Sequence, residues 1–426
     1  MFLENIKVSN FKSFEEISVD FTRFNVLIGA NASGKSNFVS IFRFLKDIVD
    51  SGLDNAISLQ GGIDYVRNTN LSTSQSLSIE LHINAEDAPG FDIEETDTQV
   101  IRISPREFFY RFSINFNGKK RGYNVFEEIL GIGIELLNSG EKNGKIETET
   151  LEKGKLVFIR EGREIKYEID GNIRGYLRDS TFFYLVKEFL GDKSSGKKLL
   201  LESEIPLFPI PVDYYLRNFI RHIALYDFDP QLSKSATQIT GKTELEPNGS
   251  NLTLVLKNIL EDKEEKEKFF DIIKSILPFV ESIAVEKLID KSMITSLRES
   301  YSKVFLPAFL ISDGTISIAA LIIALYFEEK PLLIFEEPGR NIHPYLISRV
   351  IEMMKDVSEE VKKRQIIITT HNPEVVKYAD TDHLLLVYRD DNGFSQISRL
   401  FEKENVKIFL ENMGIEELYV QNLLEW

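Results

Sequence analysis

Residues Gly29-Ala30-Asn31-Ala32-Ser33-Gly34-Lys35-Ser36 satisfy the pattern G-x-x-x-x-G-K-[ST] at each fixed position. The five residues before them, Phe24-Asn25-Val26-Leu27-Ile28, form a short apolar run that predicts a buried strand, and residues 37–49 predict a helix. Strand, glycine-bearing loop and helix in that order are what phosphate binding requires. The loop's backbone N–H groups curl around phosphate oxygens, and the helix N-terminus adds a partial positive charge. In that frame Lys35 reaches the β- and γ-phosphates of a nucleotide and the Ser36 hydroxyl ligates Mg²⁺. The competing reading, a glycine-rich strand-to-helix turn with no ligand, is disfavoured because the strand and helix context that the motif requires is present.

The wider composition limits what such a loop can serve. The 426 residues are 43% hydrophobic and 28% charged, ordinary for a globular chain and long enough for two or three domain-sized units. There is no cysteine, which excludes disulfides, thiolate metal sites and Cys nucleophiles and fits a cytoplasmic protein. No uncharged run is long enough to cross a membrane, and the N-terminus lacks a signal-peptide layout. A net charge of −16 argues against broad, phosphate-driven nucleic-acid binding. The short clusters Lys119-Lys120-Arg121, Lys197-Lys198 and Lys362-Lys363-Arg364 read as solvated surface.

Along the chain, alternation predicts strands at 3–8, 17–21, 77–83 and 111–116, and over 156–169 with a hairpin turn at Glu161-Gly162-Arg163. Residues 138–155, rich in Gly, Glu and Lys, read as an exposed loop or edge. Helical spacing is predicted at 181–190, 212–225 and 251–283, with a polar loop at 233–250. The charged run 261–266 reads as a solvated helix face. The last third predicts helices at 316–327 and 344–359 and strands at 332–335, 365–370 and 384–388.

A P-loop needs a second strand that brings carboxylate to metal and water. Leu332-Leu333-Ile334-Phe335-Glu336-Glu337-Pro338 has four apolar residues for the sheet core and two acids at its C-terminal end, where ligands of α/β sheets bind. Glu336 then holds the Mg²⁺ shell and Glu337 polarises the attacking water; the alternative is an acidic pair capping a helix. Ile366-Ile367-Ile368-Thr369-Thr370-His371-Asn372-Pro373 is a second such strand, whose His371 can bond a γ-phosphate or orient water, or else belong to a capping turn. Ser312-Asp313-Gly314-Thr315 precedes an apolar helix. Taken alone it favours a plain N-cap, although a Ser and a Gly at a helix start can also grip phosphate. His82, His222 and His383 have no comparable setting and read as structural.

Taken in order, these motifs resemble an ABC-type ATPase head, most similar to the RecF, SMC and OLD-like group. Val8-Ser9-Asn10-Phe11-Lys12-Ser13-Phe14 resembles that group's N-terminal strand-turn signature, and Glu337-Pro338 followed by Ile342-His343-Pro344 resembles the pattern of OLD-like members. The likeness is best over residues 1–85 and 300–390. It implies an α/β P-loop head with an antiparallel β lobe and a helical insertion, divided as 1–170, 171–300 and 301–426. It also implies ATP and Mg²⁺ as cofactors. Gly29, Asn31, Ser33, Gly34, Lys35, Ser36 and Asn37 would contact nucleotide, and Ser312 and Gly314 would form a signature reaching ATP on an opposing subunit. Glu336 and Glu337 would be the Walker B pair and His371 the switch histidine. Lys12 and Ser13 would lie near the α-phosphate, and Gln60 would link Mg²⁺ to the lobe interface. Asp313 and Thr315 depart from the familiar signature, and Asp380, Asp382, Asp390 and Asp391 do not supply a Toprim nuclease. The expected protein is therefore a stand-alone ATPase that forms a homodimer or higher homo-oligomer. It would regulate a separately encoded nuclease or toxin in anti-phage defence, with DNA as a further partner. A RecF-like repair clamp and a nucleotide-gated scaffold with little hydrolysis are the rivals.

Overall fold

The computed structural model describes residues 1–95, 99–117, 122–142, 145–161, 164–173, 199, 212–239, 241–361, 364–400 and 415–420. The chain divides into two units, each assembled from separated segments. The first comprises Met1–Thr22, Asn37–Ile223 and Arg389–Ile397, and the second Arg23–Ser36, Ala224–Tyr388 and Ser398–Trp426.

The first unit is built on an antiparallel sheet. Its strand order is Phe14–Asp20, Phe2–Phe11, Leu77–Asn84, Gln99–Asn117, Gly122–Lys142, Lys145–Glu161 and Glu164–Asp170, with Phe91–Glu95 paired to Gln99–Asn117. Leu77, Ile79, Leu81 and Ile83 are buried while the residues between them are partly exposed, the period-two pattern that selects a strand with one covered face. Helix Lys35–Ser51 contributes a buried stripe that includes Phe38, Ile41, Phe42 and Leu45.

Of the expected loop or edge at 138–155, the loop is corrected, because Gly122–Lys142 and Lys145–Glu161 occupy it, and the edge holds, because among the described residues 145–154 pair on one side only. Polar strands hide from a hydropathy reading, and cross-strand pairing supports them instead. Ser139 Oγ meets Thr148 Oγ1 at 2.8 Å, and Glu135 pairs with both Arg106 and Lys153. Further along the ribbon, Glu128 lies opposite Arg160, 3.4 Å apart with both side chains buried, and Tyr110 Oη donates to Glu128 at 2.7 Å. The predicted hairpin closes with Glu161 opposite Glu164, and its Gly162 and Arg163 lie outside the described residues. So do the predicted helix at 181–190 and the clusters at 119–121, 197–198 and 362–363.

The second unit holds a six-stranded sheet in the order Ala224–Tyr226, Leu332–Glu336, Gln365–Thr370, Phe24–Ile28, Leu384–Arg389 and Ser395–Arg399. The first five strands run parallel. Phe24–Ile28 and Gln365–Thr370 are buried throughout, which is why they read as unbroken apolar runs rather than as alternations. Helix Asp313–Tyr326 is buried continuously from Thr315 to Leu325, as expected for a helix apolar on every side. Helix Lys263–Ile276 is capped by Asp262, whose carboxylate accepts from Glu265 N, and it buries Phe269, Ile273 and Ile276 on one face. Its charged first turns are exposed.

The expected helical insertion is corrected in part. Ala224–Tyr226 is a strand of the core sheet, and Val280–Lys287 and Ser292–Glu299 form a hairpin in a second small sheet with Thr237–Gln238 and Leu306–Pro307. A three-residue strand directly after helix Val212–Arg221 carries too few residues to break a helical pattern read in a wide window. Among the described residues no helix is long and apolar enough to cross a membrane.

Candidate functional site

Parallel strands whose ends lie level with one another assemble the site. Glu336 is opposite Thr369, and Thr370 is opposite Ile28, so the acid pair, the histidine turn and the P-loop leave the sheet at one edge. This C-terminal edge is where a parallel sheet presents its loops to ligand.

The P-loop is shaped by its small residues. A side chain at Gly29 would put Cβ 2.2 Å from the Val387 carbonyl oxygen, a contact no L-residue can make. Gly34 has φ +124° and Ala32 φ +65°, the left-handed turns that bring successive N–H groups inward. Asn31 and Ser36 are exposed and Ser33 is buried. Lys35 Nζ donates to the carbonyls of Gly29 at 2.6 Å and Ala30 at 3.0 Å, folding back over the loop it serves. Burial lowers its pKa from the ordinary lysine value, and the nearby Glu337 carboxylate opposes that shift.

Glu337 is the most constrained residue of the site. Its φ of +49° is left-handed, a conformation costing a non-glycine residue on the order of 1 kcal/mol. Its N–H donates to Thr369 O at 2.8 Å. Its Oε2 accepts from Thr370 Oγ1 at 3.0 Å and His371 N at 3.3 Å, and its Oε1 lies 2.6 Å from His371 Nδ1. An ionised carboxylate only accepts, so Nδ1 is the donor in this contact. A carboxylate so placed can take a proton from water.

The capping reading of the histidine turn is observed, and the histidine itself faces the acid pair. Asn372 caps helix Pro373–Tyr378 by accepting from Glu374 N, while His371 engages Glu337. Ser312 is the N-cap of helix Asp313–Tyr326, its Oγ accepting from Thr315 N at 3.2 Å, and its side chain is exposed. Gly314 packs under the following loop, where an added Cβ would sit 2.7 Å from Asn341 O.

The N-terminal candidates are in the first unit. Asn37 Nδ2 donates to Ser13 Oγ at 2.8 Å, and Ser395 Oγ meets the same hydroxyl at 2.8 Å. Lys12 has φ +48° and its N–H bonds Val66 O; burial and the neighbouring Arg43 lower its pKa. The Gln60 side chain bonds Asp47 of helix Lys35–Ser51. The glycines at 61 and 62 end its helix at that position. Sequence reasoning missed Tyr419, whose hydroxyl donates to Gly29 O at 3.1 Å from a helix, Ile415–Val420, with no motif around it. It also missed Lys234 and Gln231, which bond Asp313.

A P-loop on a parallel sheet, with an acid pair and a histidine at the same edge and a serine-capped apolar helix, defines the P-loop ATPase head fold. The chain belongs to the family described as AAA domain, putative AbiEii toxin, Type IV TA system, whose model matches residues 24–377. Among solved structures, an SMC head bound to the C-winged helix domain of ScpA is 14% identical. It aligns over 93% of this chain and 98% of its own with a TM-score of 0.51, a likeness of fold. Two others are more distant: an SMC head domain from Thermotoga maritima (15% identity, 94% and 99% covered, TM-score 0.43) and an SMC head with an extended coiled coil bound to the C-terminal domain of ScpA derived from Pyrococcus furiosus (14%, 96% and 99%, 0.48). No curated protein sequence matches the chain.

Proposed function

We propose that this protein binds and hydrolyses ATP as an ABC-type head of the RecF, SMC and OLD-like kind. The observation that carries the reading is the 2.6 Å contact between Glu337 and His371, one strand from a P-loop whose Lys35 feels the same carboxylate. In hydrolysis the water oxygen bonds the γ-phosphorus while the bond to the β–γ bridging oxygen breaks. Glu337, oriented by His371 and Thr370, takes the water's proton and becomes a neutral carboxyl. Lys35 leaves the Gly29 and Ala30 carbonyls for the phosphates. Ser36 and Glu336, two hard oxygen donors, suit a Mg²⁺ that arrives with nucleotide and takes its remaining ligands from phosphate and water. When bound, that ion supplies charge neutralisation at the phosphate oxygens.

The signature Ser312–Gly314 serves the nucleotide of a second copy in this reading, giving an isologous dimer around two ATP molecules. An exposed serine at a helix start supports this, as do the two large apolar residues just before it, Phe309 and Leu310, which are 64% and 62% exposed. Nucleotide state then acts as a clamp that regulates a separately encoded effector. Toxin–antitoxin systems are in the family's description, and an SMC head of similar fold binds a ScpA domain, so a protein partner is the favoured class. The net charge of −16 disfavours DNA as the main one. Phosphate release from wild type, Lys35→Ala and Glu337→Gln tests the chemistry. A pull-down of the neighbouring gene product, beside a salt series on DNA, tests the partner. Salt-resistant DNA binding without a protein partner would replace the effector reading with a repair clamp.

A further inference from the structure

The signature departs from a glycine-rich phosphate grip at Asp313, which places a carboxylate in the first turn of helix Asp313–Tyr326. An acid there suits the helix dipole but repels a triphosphate approaching the same turn. The fold answers that charge from a second element. Lys234 Nζ bonds Asp313 Oδ1, and Gln231 Nε2 reaches both carboxylate oxygens at 3.4 and 3.5 Å. The Lys234 side chain is only 11% exposed, so the pair is shielded on the lysine side, while Asp313 is 37% exposed. Both donors are set in place locally. Short helix Pro230–Ser233 starts with Asp229, whose Oδ1 accepts from Gln231 N at 2.9 Å, and Lys234 N closes its end on Pro230 O at 3.0 Å.

We propose that Lys234 is a positioning residue of the composite ATP site. By pairing with Asp313 it cancels the carboxylate's charge, so the start of the signature helix can receive the γ-phosphate held by another copy's P-loop. Gln231 fixes the carboxylate's orientation and adds no charge. This rests on the dimer reading above, which treats Ser312–Gly314 as facing a second copy.

The test is sedimentation with ATP and Mg²⁺ in a Glu337→Gln parent, where slowed turnover holds the dimer. Lys234→Met is expected to weaken ATP-dependent dimerisation about tenfold or more, the scale of one lost charge-assisted contact. Adding Asp313→Asn to that variant is expected to restore the dimer to near the parent's affinity, since the charge needing cancellation is gone. Asp313→Asn alone, which keeps Lys234 and does not depend on how Lys234→Met folds, is expected to dimerise at least as tightly as the parent. A Lys234→Met chain that dimerises like a dimerising parent overturns the role of Lys234 alone. So does a double variant as weak as Lys234→Met, or an Asp313→Asn chain that dimerises tenfold more weakly. A parent that stays monomeric with ATP overturns the composite site itself, and this inference with it.

Discussion

Glu337 takes a left-handed backbone so that its carboxylate can turn back to Thr370 and His371 while its N–H stays on the sheet. Replacing it with Gln keeps the shape and the hydrogen-bonding oxygen but removes the base. The expected result is ATP binding near wild type, measured by a fluorescent analogue, with phosphate release slowed about 10²–10⁴-fold. Wild-type turnover would remove Glu337 from the chemistry. Lys35→Ala is expected to abolish stable ATP binding, because it deletes the cation that would move from Gly29 and Ala30 to the phosphates. At this scale the P-loop, the acid pair and His371 were legible because each is a polar residue set at the end of an apolar run. The bond from Gln60 to Asp47 was not legible, because local sequence does not encode which turn of helix Lys35–Ser51 it meets. Lys234 and Tyr419 were illegible for a related reason, since their partners Asp313 and Gly29 lie 79 and 390 residues away.

Among the elements, the long ribbon of the first unit carries a buried ion pair. Arg160 is buried opposite Glu128, which also accepts from Tyr110 Oη, and Arg160→Met removes one charge of that pair. The expected loss is about 3–5 kcal/mol in chemical denaturation, the scale of breaking a buried ion pair from one side, and Glu128→Gln in the same chain should recover part of it. In the second unit, His383 sits edge-on to Phe24 of the P-loop strand with ring centroids 5.5 Å apart, and burial lowers its pKa below the ordinary 6.5. A histidine held low in the fold binds protons more readily when unfolded. Its contribution is therefore full above the ordinary value and is lost as pH falls through that value toward the folded one. Thermal stability should drop from pH 7 to pH 5, and His383→Gln should flatten that part of the profile; an unchanged slope would show that His383 is not the titrating group. Buried strands of the core sheet were readable as apolar runs, whereas the polar ribbon at 138–155 and the three-residue strand Ala224–Tyr226 were not. The first is held by cross-strand partners and the second by its place beside Leu332–Glu336.

For the whole molecule, the account requires that a working site take its P-loop from one chain and its signature from another. Gly314 is a poor handle for this, because any side chain there meets Asn341 O of the same chain. Ser312 is exposed and better suited, at the cost of a helix cap worth about 1 kcal/mol. Lys35→Ala has a disabled P-loop and an intact signature, and Ser312→Arg has the reverse. Each alone should be inactive. Mixed in equal amounts, half of the dimers pair the two chains, and each such dimer rebuilds one of its two sites, so phosphate release should return to about a quarter of wild type. Steady-state phosphate release from that mixture is the most direct measurement. Activity near a quarter of wild type is the predicted result, and a mixture as inactive as its separate components, with both chains folded, would contradict the composite site.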